Sequence, residues 1–262
     1  MASVTKYRQK WLKYHKGHEK KAFKLLQKVF SKWNRTIINA DIKEKGIKKQ
    51  LESLINENDM SDAYYQIYFN IGVAHGLRVG KFINIELTKD FTIPKFMTEF
   101  EKNLPEYLRT YGITRIQQVS DTYLKDVFKL FDDRLKAGKT LKETTDEVFK
   151  VMKSPRFTRY QAERIARTET TAAANYGAVQ SGAVSGYEMQ KRWISALDKR
   201  TRDPHASTNG QKVDEKETFI VGGEKLLYPG DPNGSAGNVI NCRCTVAVIP
   251  KKDKNGRLIR VN

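Results

Sequence analysis

The chain's two cysteines, Cys242 and Cys244, flank Arg243 in the stretch Asn238-Val-Ile-Asn-Cys-Arg-Cys-Thr-Val-Ala-Val-Ile249. His205 precedes them and is the one histidine in the C-terminal third. Thiolates and an imidazole are donors that zinc prefers, and Asp198 or Asp203 would supply a fourth ligand. Alternate residues of a strand point to one face, so both sulfurs would look the same way. Against this, zinc cysteines usually come as C-x2-C turns. A second chemistry is a cysteine nucleophile with His205 as its base. Such thiols favour helix N-termini or electropositive pockets, and on a strand Arg243 would point away. A disulfide between residues i and i+2 is strained. The simplest reading packs both thiols as small hydrophobes beside Val246 and Val248. Asn241 and Arg243 then face the other side and bind loop backbone or carboxylates.

On that last reading a polar network pins the long loop between two strands. Its expected members are Trp193, Asp198, Arg200, Arg202, Asp203, His205, Asn209, Asn241 and Arg243. A loop of about 25 residues needs such anchoring, and buried charges cost stability unless each is paired. The same residues disfavour several enzymes. Glu215-Lys-Glu217 and Ser207-Thr208 are too close together for an arginine-type ADP-ribosyltransferase. An HNH-type nuclease needs more histidines. A zinc deaminase needs C-x-x-C with His-x-Glu. Tyr228-Pro-Gly-Asp-Pro-Asn-Gly234 lacks the Lys-Ser/Thr and helix of a phosphate loop.

The elements that must position these residues change character along the chain. Tyr7, Trp11, Tyr14, His18, Ala22, Leu25, Val29 and Trp33 step by three or four, which predicts a long amphipathic helix. Ile47, Leu51, Leu54 and Ile55 predict a second helix, with Ser61 as N-cap of a third that runs through Tyr64, Ile71, His75 and Phe82. Gly72, Gly76 and Gly80 form a stripe on that third helix. Each costs roughly 1 kcal/mol against alanine, so close approach of another backbone is expected, within the bundle or from a partner subunit. Residues 86–94 read as extended or looped. Ile116 to Phe131 predicts another helix, closed by Gly138. Thr140-Leu-Lys-Glu143 is a capping-box pattern, and a last helix is expected from about Thr158 to Gly182.

After Gly186 alternation replaces helical periodicity. Tyr187, Met189, Lys191 and Trp193 predict a half-buried strand, Phe219–Tyr228 a hairpin over Gly222-Gly223, and Val239–Ile249 a third strand. The fold class is therefore α+β. A mostly helical region (1–154) and a connecting helix (155–185) precede a small loop-rich module with a short antiparallel sheet (186–250). A basic tail (251–262) is expected to be mobile.

Composition bounds the partners. The chain has 262 residues, 39% of them hydrophobic, and a formal net charge of +18. Such a charge points to nucleic acid, an anionic surface or acidic proteins. Lys10, Lys13, Lys16, Lys20, Lys21 and Lys24 interleave with Trp11 and Tyr14. The lysines are candidates for phosphate contacts, while the aromatics fall on the apolar face and read as core. No apolar run is long enough to span a bilayer. The N-terminal residues lack a secretory signal's apolar stretch, and two cysteines do not make a disulfide scaffold. Synthesis in a reducing cytoplasm is expected.

The ordered set Ile165-Ala-Arg-Thr-Glu169, Asn175, Gly177, Trp193-Ile-Ser-Ala-Leu-Asp198, Arg200-Thr-Arg-Asp-Pro-His205, Asn209-Gly210, Phe219, Tyr228-Pro-Gly-Asp231 and Asn241-Cys-Arg-Cys244 resembles the phage minor head protein family, the Mu F-like and SPP1 gp7-like head morphogenesis proteins. It covers about residues 155–250. The resemblance implies a low-copy virion protein made in the host cytoplasm. It would sit inside the capsid, contact the portal protein, lie beside double-stranded DNA and act in assembly or genome delivery. It implies no cofactor and no secure enzymatic activity. DNA contacts would be to phosphate and independent of sequence. The rivals are a metal- or thiol-dependent enzyme carried in the virion on His205, Cys242 and Cys244, with zinc as the alternative cofactor, and a free cytoplasmic nucleic-acid-binding protein. Oligomeric state is not legible.

Overall fold

The computed structural model describes residues 4–87 and 92–261. The first helix, α1 (Val4–Ile38), buries Trp11, His15, Leu26, Phe30, Trp33 and Ile37 on one face. Its lysines, spaced off that stripe, are exposed. Helix α2 (Ile47–Leu54) is short. Helix α3 (Glu57–Ile67) starts at Asn56, whose side chain accepts from the Asn58 amide. Asn56 thus takes the capping role expected of Ser61, which lies inside the helix. A π-turn, Tyr68–Gly72, continues α3 into α4 (Val73–Leu87). Within the stretch expected to be a loop, residues 88–91 lie outside the described residues. Leu87 ends α4, and Pro94 stands in the first turn of α5 (Ile93–Tyr107), where its missing amide costs nothing.

A second π-turn, Leu108–Gly112, leads into α6 (Ile113–Lys136). Gly138 then adopts φ 80°, the left-handed conformation that stops a helix. Helix α7 (Leu141–Lys153) opens on the expected capping box, Thr140 with Glu143. Helix α8 (Arg159–Ala183) is more than a connector. From Thr168 to Ala178 every residue is buried. Alanine, glycine, serine and threonine on all its sides let neighbouring backbones come close, so α1, α4 and β5 (Thr245–Pro250) all pack on it.

The C-terminal module holds a three-stranded antiparallel sheet of order β2-β1-β5 and a separate hairpin, β3-β4. Strand β1 (Met189–Ile194) lies in the middle, with Trp193 opposite Val246 and Lys191 opposite Val248. A five-residue helix, α9 (Asp203–Ser207), precedes β2 (Lys212–Asp214). Strands β3 (Phe219–Val221) and β4 (Glu224–Leu226) meet at Gly222 (φ 57°) and Gly223 (φ 84°), the paired positive φ of a tight hairpin turn. A single turn, α10 (Ala236–Val239), stands where the third strand was expected to begin. That strand starts only at Thr245.

The hydrophobic core is continuous from α1 through α8 to β1, β3 and β5. The first turns of α1 reach the module directly. Tyr7 donates to the Val246 carbonyl, Arg8 Nε to the Ser195 carbonyl at 2.8 Å, and Trp11 Nε1 to the Arg243 carbonyl at 2.8 Å. The basic tail, expected to be mobile, folds back on the module. The Val261 amide bonds the Gly186 carbonyl, and Glu188 exchanges backbone bonds with Lys251 and Ile259. Among the described residues no helix is long and apolar enough to cross a membrane.

Candidate functional site

Cys242, Arg243 and Cys244 do not lie on a strand. Asn241 has φ 61°, a left-handed conformation that a short polar side chain tolerates, and it turns the chain sharply before β5. The bundle grips all three following carbonyls. Thr171 Oγ1 donates to the Cys242 carbonyl, Trp11 Nε1 to that of Arg243, and Asn175 Nδ2 to that of Cys244. With the backbone held against α1 and α8, both thiols face the module interior.

There they meet His205. Its Nδ1 lies 3.6 Å from Cys242 Sγ and 3.4 Å from Cys244 Sγ. The other ring nitrogen, Nε2, lies 3.3 Å from Asn238 Oδ1. Asn238 Nδ2 donates to the Val221 carbonyl, which turns Oδ1 toward the imidazole and makes Nε2 the protonated nitrogen. His205 Nδ1 therefore presents a lone pair to the two sulfurs. All three side chains are 2% exposed. The hydrogen bond between the two sulfurs shifts the thiols in opposite directions. Cys242 is pushed well above the ordinary thiol range, first by its hydrogen bond with Cys244 and then by burial. Cys244 is held well below it, first by that same bond and against its own burial. Among the described residues these three form the one group of histidine, cysteine or acidic side chains whose ligand atoms converge within 4.8 Å. Asp198 and Asp203 do not join it.

Asp198 pairs instead with the Arg243 guanidinium, at 2.7 Å through Nη2, and accepts from the Arg200 amide. Arg243 holds the Asp198 carboxyl well below the usual range. Arg202 donates to the Ile240 carbonyl. Asn209 Oδ1 accepts the Ser195 amide at 3.0 Å, and Trp193 Nε1 donates to Ser195 Oγ at 3.1 Å. Arg167 Nη1 donates to Asn241 Oδ1 at 3.0 Å. Most of the expected network thus converges on the loop ends. The side chains of Arg200 and Asp203 are exposed and stand outside it.

Sequence reasoning missed the part that several residues play in holding the centre from behind. Asn175 sits in a run of alanines. It donates to the Pro229 and Cys244 carbonyls and accepts from the Val246 amide and Thr245 hydroxyl. A polar residue in an Ala-rich, all-buried helix was the available signal, since buried amides must be paired. Trp11, Thr171 and Asn238 carried none. Gly72 and Gly76 face α8. A Cβ on Gly76 would lie 2.9 Å from the Gly177 carbonyl oxygen and 2.3 Å from the Phe96 ring. Gly80 is buried on the same helix.

A cleft of about 630 Å³ opens between α1, α8 and the loop after β1. Lys16, Lys20, Arg159, Arg167, Arg200 and Arg243 line it, against Glu19, Glu163 and Asp198. Arg159, Arg167 and Arg243 are paired with those three acids. Lys16, Lys20 and Arg200 are exposed and leave the rim net positive. Lys10, Lys13, Lys21 and Lys24 are exposed elsewhere on α1, while Trp11 and Trp33 are buried and Tyr14 is half-buried.

A helical scaffold that grips a buried His-Cys-Cys centre defines the class: a small α+β module built onto a helical bundle. Residues 125–247, from the middle of α6 into β5, match the family described as Phage Mu protein F like protein. Over that segment, a little under half of the chain, the protein is similar to this family. Over 88 residues the chain is 35% identical to the NAD(+)--arginine ADP-ribosyltransferase EFV of Enterococcus faecalis (strain ATCC 700802 / V583), covering 32% of this chain and 18% of that protein. Over 99 residues it is 29% identical to the uncharacterized protein YqbB of Bacillus subtilis (strain 168), covering 36% of this chain and 32% of that one. The chain spans less than a third of the length of either relative. No solved structure matches. Glu215 and Glu217 belong to the turn after β2, where the Glu217 carboxylate accepts the Asp214 amide.

Proposed function

We propose that this chain is a phage head morphogenesis protein, a minor component of the capsid interior docked near the portal, and that it binds packaged double-stranded DNA through phosphates alone. The observation that carries the DNA reading is the cationic rim of the cleft between α1 and the module. Among the described residues no acid pairs with Lys16, Lys20 or Arg200 there, on a chain of net charge +18. Each cation placed on a phosphate releases a condensed counterion, so affinity would come from electrostatics. The exposed lysines lie along the solvent face of a helix whose aromatics point inward, an arrangement that offers charge but no stacking surface. Binding would accordingly ignore sequence.

The test is a pair of measurements. Affinity for unrelated duplexes of equal length should be the same and should fall steeply as salt rises. Affinity indifferent to ionic strength would overturn the DNA reading. A reconstruction of the assembled particle should place the chain on the inner side near the portal vertex, and its absence from purified heads would favour the free cytoplasmic rival.

A further inference from the structure

The His205, Cys242 and Cys244 cluster has more convergent donors than an apolar core would hold. His205 Nδ1 carries one lone pair, because Asn238 fixes the proton on Nε2. Two thiols approach that single acceptor, at 3.4 and 3.6 Å. Only one S–H can use it, and the other is left to the neighbouring sulfur, a weak acceptor. A cation at the centre removes the conflict, since both sulfurs then act as thiolates and the imidazole lone pair becomes a third ligand.

The distances fit that cation. Zinc sits about 2.3 Å from sulfur and about 2.0–2.1 Å from imidazole nitrogen, and tetrahedral angles then place sulfur and nitrogen roughly 3.5 Å apart. The two observed separations bracket this value. The sulfurs lie within 4.8 Å of each other, a bound that includes the roughly 3.8 Å of two thiolates on one tetrahedral zinc. The surroundings are also those of a ligand site. Asn238 on the far ring nitrogen orients the imidazole, as an outer hydrogen bond does for metal-bound histidine. The Cys244 amide points at Cys242 Sγ at 3.5 Å. Thr171, Trp11 and Asn175 hold the three carbonyls of the Cys-Arg-Cys turn, so the sulfurs are oriented before any metal arrives.

We infer that His205, Cys242 and Cys244 bind one zinc ion as a structural clamp between α9 and the turn that precedes β5. Binding converts two thiols into thiolates and releases their protons as Zn²⁺ enters, with no change of oxidation state. Among the described residues no further histidine, cysteine or acid joins the cluster, so the fourth position takes a water. Three protein ligands and a water also occur in catalytic zinc sites, but burial to 2% exposure closes this position to a substrate. The clamp ties the module to the bundle, because the turn it fixes is the turn that Trp11 and α8 hold. This inference is independent of the DNA reading and survives its failure.

The experiment uses the full chain, expressed without a histidine tag in zinc-supplemented medium. Elemental analysis should find about one zinc per chain. Chelation should remove it and lower the thermal midpoint. Adding Co²⁺ to the metal-free wild type should produce a thiolate-to-cobalt charge-transfer band, and the Cys242→Ser/Cys244→Ser variant should lose both the band and the zinc. Zinc retained in full by that variant would overturn the assignment, because the metal would then sit elsewhere. A folded wild type that holds no zinc and gives no such band with Co²⁺ would also overturn it. That second arm needs only the wild type, so the clamp can be refuted even where the double variant does not fold.

Discussion

Gly177 of α8 presses on Gly72 at the π-turn before α4: a Cβ built on Gly177 would lie 2.0 Å from the Gly72 carbonyl oxygen. No flexible side chain is available to move aside, because the obstacle is backbone. Gly177→Ala must therefore push the two helices apart in the middle of the core. We expect a loss of about 2 kcal/mol or more, in the range of core overpacking. Gly17, on the exposed face of α1, has nothing within 4 Å of its virtual Cβ. Gly17→Ala should instead stabilise by up to ~1 kcal/mol through helix propensity. Chemical denaturation of the two variants gives opposite signs if the packing is as described.

Arg115 and Glu169 form an ion pair in the bundle at 2.8 Å, and Tyr68 donates to the same carboxylate at 2.8 Å. The side chains are 15% and 4% exposed. Glu169→Ala strands a guanidinium and a phenol in the interior. Removing one partner of a buried pair costs about 3–5 kcal/mol. The double variant Arg115→Met/Glu169→Leu should be less destabilised than Glu169→Ala alone, as urea midpoints will report.

His75 and His15 make the fold acid-sensitive. Burial, the largest cause in each case, lowers both from 6.5 to about 3. Among the described residues neither ring nitrogen of His75 has a hydrogen-bond partner. The unfolded chain takes up protons below pH 6.5 while the folded chain refuses them until about pH 3. Stability must therefore fall as pH drops through that window and level off below it. At roughly 1.4 kcal/mol per pH unit, each histidine contributes a loss on the order of 5 kcal/mol across that window. His75→Phe keeps the ring packing against Trp11 and Tyr14 and should flatten the slope of thermal midpoint against pH between 6.5 and 3.

Lys191 is 1% exposed in the central strand, and its ammonium donates to the Glu217 and Leu227 carbonyls at 2.8 and 2.9 Å. Burial pulls its pKa down to about 8. Lys191→Met fills the space but leaves two carbonyls without their donor. A loss of roughly 1–3 kcal/mol is expected, and calorimetry of the variant checks it.

For DNA, replacing Lys16 and Lys20 with alanine should weaken binding to all sequences alike. If each contacts one phosphate, the slope of log affinity against log salt falls in magnitude by about 0.9 per residue. Fluorescence titrations at several salt concentrations measure this directly. An unchanged slope would remove both lysines from the interface.

Much of this protein was fixed by local pattern. The three-to-four spacing of Trp11, Leu25 and Val29 set the long first helix, because one apolar face must be buried whatever it meets. Thr140 with Glu143, Gly138, and Gly222-Gly223 marked their cap, stop and turn, since those backbone conformations depend on a few neighbouring residues. The order of motifs from Ile165 to Cys244 pointed to the head morphogenesis family, and the surplus of lysine pointed toward anionic partners. What folding alone decided was which distant groups meet. A strand reading of Asn241 to Cys244 failed because the left-handed turn at Asn241 is stabilised by Arg167 and Thr168 of α8, outside any sequence window. The glycine stripe on α4 turned inward because Gly177 is its counterpart. Cys242 and Cys244 face His205 because Thr171, Trp11 and Asn175 hold the backbone behind them. Spacing in sequence gives the donors; only a packed interior fixes the directions in which they point.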